Sequence, residues 1–228
     1  MSPIALWLIC HVALLMVSYL LGSLPTGYLL GWWLQGIDIR EHGSGSTGAT
    51  NVLRTLGKGP GLTVFVVDVL KGVAAIALGR WFYAHPTVAI PVEVEPQVWL
   101  PWLVVLSGLA ALLGHSKSVW LNFTGGKSVA TGLGILLAID WQIALATLGV
   151  FALVLALLRF VSLGSVCAVT AAVVMVFMTQ QPLPYLLLVS AGGVYVIWRH
   201  QSNLQRLLAG TEPRLGEQAA IEVDPSQV

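Results

Sequence analysis

The residues able to do chemistry lie in polar islands within an otherwise apolar chain. The first island is Gly43-Ser44-Gly45-Ser46-Thr47-Gly48-Ala49-Thr50-Asn51-Val52-Leu53-Arg54-Thr55-Leu56-Gly57. Three glycines within six residues let the backbone turn through φ > 0 and present successive N–H groups as an anion-binding nest. After Thr47 the run 48–56 reads as a short helix, with a hydroxyl N-cap before it and Gly57 past its end. Thr47 and Asn51, like Thr50 and Arg54, are four apart and share a helical face. A phosphate at that N-terminus would meet backbone N–H groups, the positive end of the helix dipole and one guanidinium. Ser44, Gly45, Thr47, Gly48, Thr50, Asn51 and Arg54 are therefore expected at a phosphate site.

A second island, 114–132, repeats this chemistry. Thr124 is expected to cap a helix whose first turn offers the Gly125 and Gly126 amides, with Lys127 supplying a point charge. A Walker A loop is excluded, because its first glycine would fall at position 121, which is Leu121. Lys127 at a helix N-terminus opposes the dipole unless an anion is present. His115 either caps the end of the preceding apolar run or touches substrate. Asp68 and Lys71, three apart in the second apolar run, share a face and can pair. Charges at membrane depth are costly unless paired or facing a cavity, so this pair is either a substrate site or an ion pair holding helices together. His200 and Asn203 also share a face, between Arg199 and Arg206, where the last apolar run ends.

Apolar runs position these islands. Of 228 residues 57% are apolar and 9% charged, against about 45–50% and about 25% in a soluble domain. The expected architecture is an all-α polytopic membrane protein forming one unit over 1–228, with a polar tail from about 209. The formal net charge of +1 implies no nucleic-acid partner. Cys10 and Cys167 lie in apolar runs as packing residues, and no Cys/His cluster suggests a metal or cofactor. The N-terminus lacks a basic signal-peptide region, so the first span is read as retained. Spans are expected over 4–24 (continuing through 28–34), 62–82, 98–113, 128–139, 141–158, 163–178 and 183–198, with an irregular connection over 84–97.

The run 128–139 is too short for an ordinary span, so charge placement decides the count. Seven crossings with the N-terminus outside put Arg40, Arg54, Lys58, Lys117, Lys127, Arg159, Arg199, Arg206 and Arg214 at the inner face, in keeping with the positive-inside tendency. Five crossings is the alternative. The seven-crossing topology puts both islands, the 161–165 turn and the start of the tail on one face, the cytoplasmic one, with short interfacial helices there. No internal repeat is evident.

Taken together, Gly43-Ser44-Gly45-x-x-Gly48-Ala49-Thr50-Asn51-x-x-Arg54-x-x-Gly57, Asp68-x-x-Lys71-Gly72, Gly114-His115, Phe123-x-Gly125-Gly126-Lys127-x-Val129-Ala130-Thr131 and His200-x-x-Asn203-Leu204-x-Arg206-Leu207 resemble the bacterial acyl-phosphate:glycerol-3-phosphate acyltransferases of the PlsY type. The resemblance runs from about Gly22 to Glu212, departing where the family commonly has Asn for Ser46 and Gly for Ser128. It implies a multi-pass enzyme of the bacterial inner membrane, with membrane lipid as neighbour, that moves a fatty acyl group from acyl phosphate to the sn-1 hydroxyl of glycerol 3-phosphate. It implies Arg54, Lys127, His200 and Asn203 as catalytic residues. Ser44–Asn51 and Ser165 would hold the donor phosphate, and His200 or a substrate phosphate would take the proton. The HxxxxD motif of other glycerolipid acyltransferases is absent: five residues after each histidine stand Met16, Thr47, Ile90, Trp120 and Gln205, which removes the usual His–Asp base. The rival readings are a transporter for a phosphorylated solute and a CDP-alcohol phosphotransferase; the latter needs an aspartate-rich motif that this chain lacks.

Overall fold

The computed structural model describes residues 1–84, 90–91 and 94–216. The 84–97 connection and the tail beyond 216 thus lie largely outside the described residues. Ten α-helices account for about three quarters of the described residues. Helix α1 (Pro3–Ser23) is capped by the Ser2 hydroxyl, which accepts from the Ala5 amide at 3.2 Å. It does not continue as one rod: the chain breaks at Leu24-Pro25, since proline removes a donor and bars a helical residue before it. Helix α2 (Thr26–Gln35) then runs to Gly36, left-handed at φ 67°. Helix α3 (Ala49–Leu56) stops at Gly57, and α4 (Lys58–Ala84) is the longest helix. Helix α5 covers Pro96–Ser116, α6 Val129–Ile139, α7 Trp141–Leu158, α8 Val161–Met178, α9 Leu183–Arg199 and α10 Gln201–Leu208.

Lipid-facing positions such as Leu8, Val12, Met16, Leu153, Leu157 and Val194 are exposed, so cohesion comes from close backbone contact rather than from an oil-drop core. Helices α4 and α6 touch through Gly72 and Gly134, where a Cβ would overlap the Thr131 and Val69 carbonyls. Helices α5, α6, α7, α8 and α9 are each in contact with the next, and α9 returns to α5, closing a ring.

By length and composition, five segments could cross a membrane: 3–35, 58–84, 96–116, 141–158 and 161–178. The two remaining runs of the seven expected, α6 and α9, are shorter apolar helices. One end of the bundle gathers the end of α4, the α6–α7 turn and the α8–α9 turn. There the His11 ring meets the Tyr83 hydroxyl at 3.1 Å, and the Gln181 amide donates to Asp140 at 2.9 Å. Both polar islands lie at the opposite end. Asp140 is shared, ending α6 and capping α7 through the Gln142 and Ile143 amides. With 11 residues in α6 and 18 in α7, α6 begins about 10 Å below the level at which α7 finishes. The start of α6, at the end of the second island, is therefore recessed into the bundle, while Trp120 and Phe123 of the same island stay exposed.

Candidate active site

The first island folds around Asn51. Its Oδ1 accepts from the Ser44 amide (2.8 Å), and its Nδ2 donates to the Ile39, His42 and Ser46 carbonyls (3.1, 3.0 and 2.8 Å). An amide has one acceptor and two donor hydrogens, so Asn51, 1% exposed, is committed to shaping the loop. Gly43 at φ 59° lies so close to the Asn51 amide that a side chain would displace it. The N-cap of α3 is Gly48, not Thr47, and no side chain caps the helix. Ser46 instead accepts from the Gly48 amide at 3.3 Å. Thr47 turns away into a small cavity with Asp68 and Lys71. Ser44, Ser46, Gly48, Ala49, Thr50 and Arg54 line the main polar cavity, of about 130 Å³, while Gly45 serves the turn at φ 67°.

The second island departs from expectation. Thr124 caps no helix: its hydroxyl donates to Leu121 O at 2.6 Å. The Gly126 amide is given to His115 O (3.2 Å), and Arg199 Nη2 donates to the Gly125 and Gly126 carbonyls (3.3 and 3.1 Å). Neither glycine lines the polar cavity; together they clamp the loop onto α5 and α9. Helix α6 starts later, after Ser128 in the left-handed region at φ 63°, its hydroxyl donating to Leu112 O at 2.9 Å. That backbone explains why a glycine suits this position. Lys127 thus lines the cavity from the loop ahead of α6 rather than from inside its first turn.

Lys127, His200 and Asn203 meet here, from a loop, the end of α9 and α10. The Lys127 ammonium donates to Asn203 Oδ1, and Asn203 Nδ2 donates to Glu212 Oε1 at 2.7 Å. Ser162 donates to the same Glu212 oxygen (2.7 Å) and Arg206 Nε to the other (2.8 Å). Burial pushes the Glu212 carboxyl up, but these three hydrogen bonds outweigh it and hold the pKa below 4.5. Burial, reinforced by neighbouring arginines and opposed by Glu212, lowers the Lys127 ammonium from 10.5 to about 8. Burial is also the main cause lowering His200 from 6.5 to about 4. His200 Nδ1 lies 2.8 Å from Val196 O. A carbonyl can only accept, so Nδ1 carries the proton and Nε2 presents a lone pair. Arg54 Nη2 donates to Pro213 O at 3.1 Å.

Asp68 and Lys71 pair at 2.7 Å, both buried, and Lys71 also donates to Leu24 O, the carbonyl freed by the α1–α2 break, at 2.6 Å. His115 Nδ1 stands 3.6 Å from Asp68. Asp68 and His115 line the polar cavity; Lys71 lines the small cavity beneath it. Ser165 lines the polar cavity too, though its hydroxyl proton is given to Val161 O at 2.8 Å.

Glu212 and Ser162 are among the residues of this site that were not assigned from sequence. The signal for Glu212 was that the family resemblance extends into the polar tail as far as this residue; its contacts with Ser162, Asn203 and Arg206 join segments distant in the chain.

A family model described as glycerol-3-phosphate acyltransferase matches residues 12–210. The chain belongs to the glycerol-3-phosphate acyltransferase family. A glycerol-3-phosphate acyltransferase of Acaryochloris marina is 60% identical over 222 residues, covering 96% of this chain and 99% of that one. One of Trichormus variabilis is 59% identical, covering 97% and 99%. The crystal structure of PlsY (YgiH), an integral membrane glycerol 3-phosphate acyltransferase, in its glycerol 3-phosphate form superposes with a TM-score of 0.78 at 36% identity, covering 91% of this chain and 96% of that one. Its lysophosphatidic acid form gives a TM-score of 0.76. This chain is accordingly a PlsY-type, integral membrane glycerol-3-phosphate acyltransferase that serves phospholipid synthesis.

Proposed function

We propose that the acyl donor is an acyl phosphate and that the acceptor is the sn-1 hydroxyl of glycerol 3-phosphate, giving 1-acyl-glycerol 3-phosphate and phosphate. The observation that carries this reading is that the cationic cavity and a second, apolar chamber share Phe65, Ser128, Val129, Ala130 and Phe151 as lining. A molecule with an anionic head and a hydrocarbon chain fits across that junction. PlsY structures in glycerol 3-phosphate and lysophosphatidic acid forms support the acceptor and product.

In this mechanism the acceptor hydroxyl oxygen attacks the acyl carbonyl carbon, the C–O bond to phosphorus breaks, and its electron pair leaves with phosphate. Phosphate is already a good leaving group, so positioning and charge neutralisation do most of the work. The loop Ser44–Gly48 and the uncapped start of α3 hold one phosphate, and Arg54 and Lys127 neutralise charge. His200, neutral and bearing a lone pair on Nε2, accepts the hydrogen bond of the attacking hydroxyl and orients it. With a pKa of about 4 it is a weak base, so the proton ends on the departing phosphate. Asn203 fixes the Lys127 ammonium.

The membrane placement we infer is seven crossings, α6 and α9 included, in the bacterial inner membrane, with the N-terminus outside and the site on the cytoplasmic face. The short helices α3 and α10 lie at the interface. The basic residues gathered at the site end support it. The test supplies purified protein with glycerol 3-phosphate and either an acyl phosphate or the matching acyl-CoA, reading phosphate release and product regiochemistry by NMR. Turnover of acyl phosphate to the 1-acyl product is expected. Turnover of acyl-CoA alone would overturn the donor assignment.

A further inference from the structure

Arg199 is the last residue of α9, directly before His200. An arginine at a helix end ordinarily serves the last carbonyls of its own helix or extends into the headgroup region. This one reaches a different segment. Its Nη2 donates to the Gly125 and Gly126 carbonyls, 74 and 73 residues away in the chain, at 3.3 and 3.1 Å. That nitrogen carries two hydrogens, one for each carbonyl, and the Nε behind it is buried.

The loop that Arg199 holds is fixed on its other side by α5. The Gly126 amide donates to His115 O at 3.2 Å, and a Cβ on Gly125 or Gly126 would overlap the His115 carbonyl or ring. The Gly126 carbonyl and the Lys127 N–H belong to one planar peptide unit, so the hydrogen bond from Arg199 sets where the Lys127 Cα stands. At its far end the Lys127 ammonium donates to Asn203 Oδ1. Lys127 is thus held at root and tip, and its root is tied to the residue before His200. We propose that Arg199 is a positioning residue for acyl transfer, which fixes the placement of Lys127 beside His200 by holding the Gly126–Lys127 peptide against the end of α9. The inference rests on the proposed roles of Lys127 and His200 at the polar cavity, which Arg199 itself does not line. Charge alone does not meet the need, because a lysine ammonium ends one bond short of Nη2 and lacks the rigid fork that aims it.

The experiment uses purified full-length wild type, Arg199→Lys, Arg199→Gln, Lys127→Ala and the double variant Lys127→Ala/Arg199→Lys. Calorimetric titration with glycerol 3-phosphate gives Kd for each, and its stoichiometry gives the folded fraction, so a partly folded variant is still read correctly. Steady-state turnover of the single variants gives kcat and KM. A displacement of about 1 Å at a site can cost about a hundredfold. Both Arg199 variants are therefore expected to lose at least about tenfold in kcat/KM, with KM and Kd for glycerol 3-phosphate both raised. In the Lys127→Ala chain the Arg199→Lys change should alter Kd by less than about twofold, because the group it positions is gone. A purely structural role gives the opposite pattern: the same factor is lost in both backgrounds, or kcat falls with the folded fraction while KM and Kd stay put. Either of those results, or an Arg199→Lys chain within about twofold of wild type, overturns the inference. Failure of the underlying reading is distinct, since wild-type binding and turnover in Lys127→Ala alone would remove Lys127 from the site whatever the Arg199 rows show.

Discussion

At the residue scale, the site is built from groups whose burial alters their chemistry. On the proposed reading Lys127 neutralises a phosphate only while it is charged, and it loses its proton through about pH 8 rather than 10.5. The kcat/KM for glycerol 3-phosphate should therefore be flat up to about pH 8 and then fall about tenfold per pH unit. Lys127→Arg keeps its charge, so the alkaline limb should move out of range even if the plateau is lower, because a planar fork replaces a point charge. A pH–rate profile of both proteins checks this, and an unmoved limb would assign it to another group. His200 is neutral above about pH 4, so no limb near 6.5 should belong to it. Arg54, Lys127, His200 and Asn203 were legible in the sequence because a polar side chain in so apolar a chain needs a reason. Asn51 and Thr47 were legible as important but not in role: a side-chain amide saturated by four loop groups looks, from spacing alone, like a ligand. The same limit hid the spent Gly126 amide, since which hydrogen bonds a glycine makes depends on the fold around it.

At the scale of elements, the position of Lys127 depends on how closely α6 approaches α4. Helix spans were readable from apolar runs, and the end of α3 from Gly57. The late start of α6 was not, because the left-handed Ser128 and the loop clamped by Arg199 are tertiary effects. Two glycine contacts set the α4–α6 distance, and Gly134 meets Val69 O with no room for a methyl group. Gly134→Ala should separate the helices, costing about 1–3 kcal/mol by overpacking and raising KM for glycerol 3-phosphate as Lys127 shifts. Gly149→Ala in α7 is the control, for a Cβ there meets nothing within 4 Å. Thermal unfolding in one detergent, with KM measured alongside, separates the two. Equal behaviour of the variants would show that the α4–α6 approach does not position the site.

At the scale of the whole molecule, the tail closes the site. Residues 212–215 cross from α10 to the α7–α8 turn: Glu212 gathers Ser162, Asn203 and Arg206, Pro213 O receives Arg54, and the Leu215 amide donates to Arg159 O at 2.7 Å. One carboxylate thus ties α8, α10 and the tail together while fixing the Asn203 that fixes Lys127. Sequence reading placed these segments on one face by counting basic residues, but it treated the tail from about 209 as an appendage, since polar composition cannot show that a segment returns to the bundle. The carboxyl of Glu212 is held below 4.5, so folding favours its ionised form. Its contribution is fully present above about pH 4.5 and lost as pH falls through the lower, folded value. Glu212→Gln should remove that acid-sensitive step. At neutral pH it should cost about 1–3 kcal/mol, because a neutral amide replaces a carboxylate that accepts three hydrogen bonds, one from a guanidinium. Hydrogen exchange across 209–216, followed from pH 7 to pH 4, reads this directly. Wild type should open progressively on acidification, and the variant should already be open at pH 7. Tight protection in the Glu212→Gln chain at neutral pH would show that the strap is held by its backbone contacts to Arg54 and Arg159 rather than by the carboxylate.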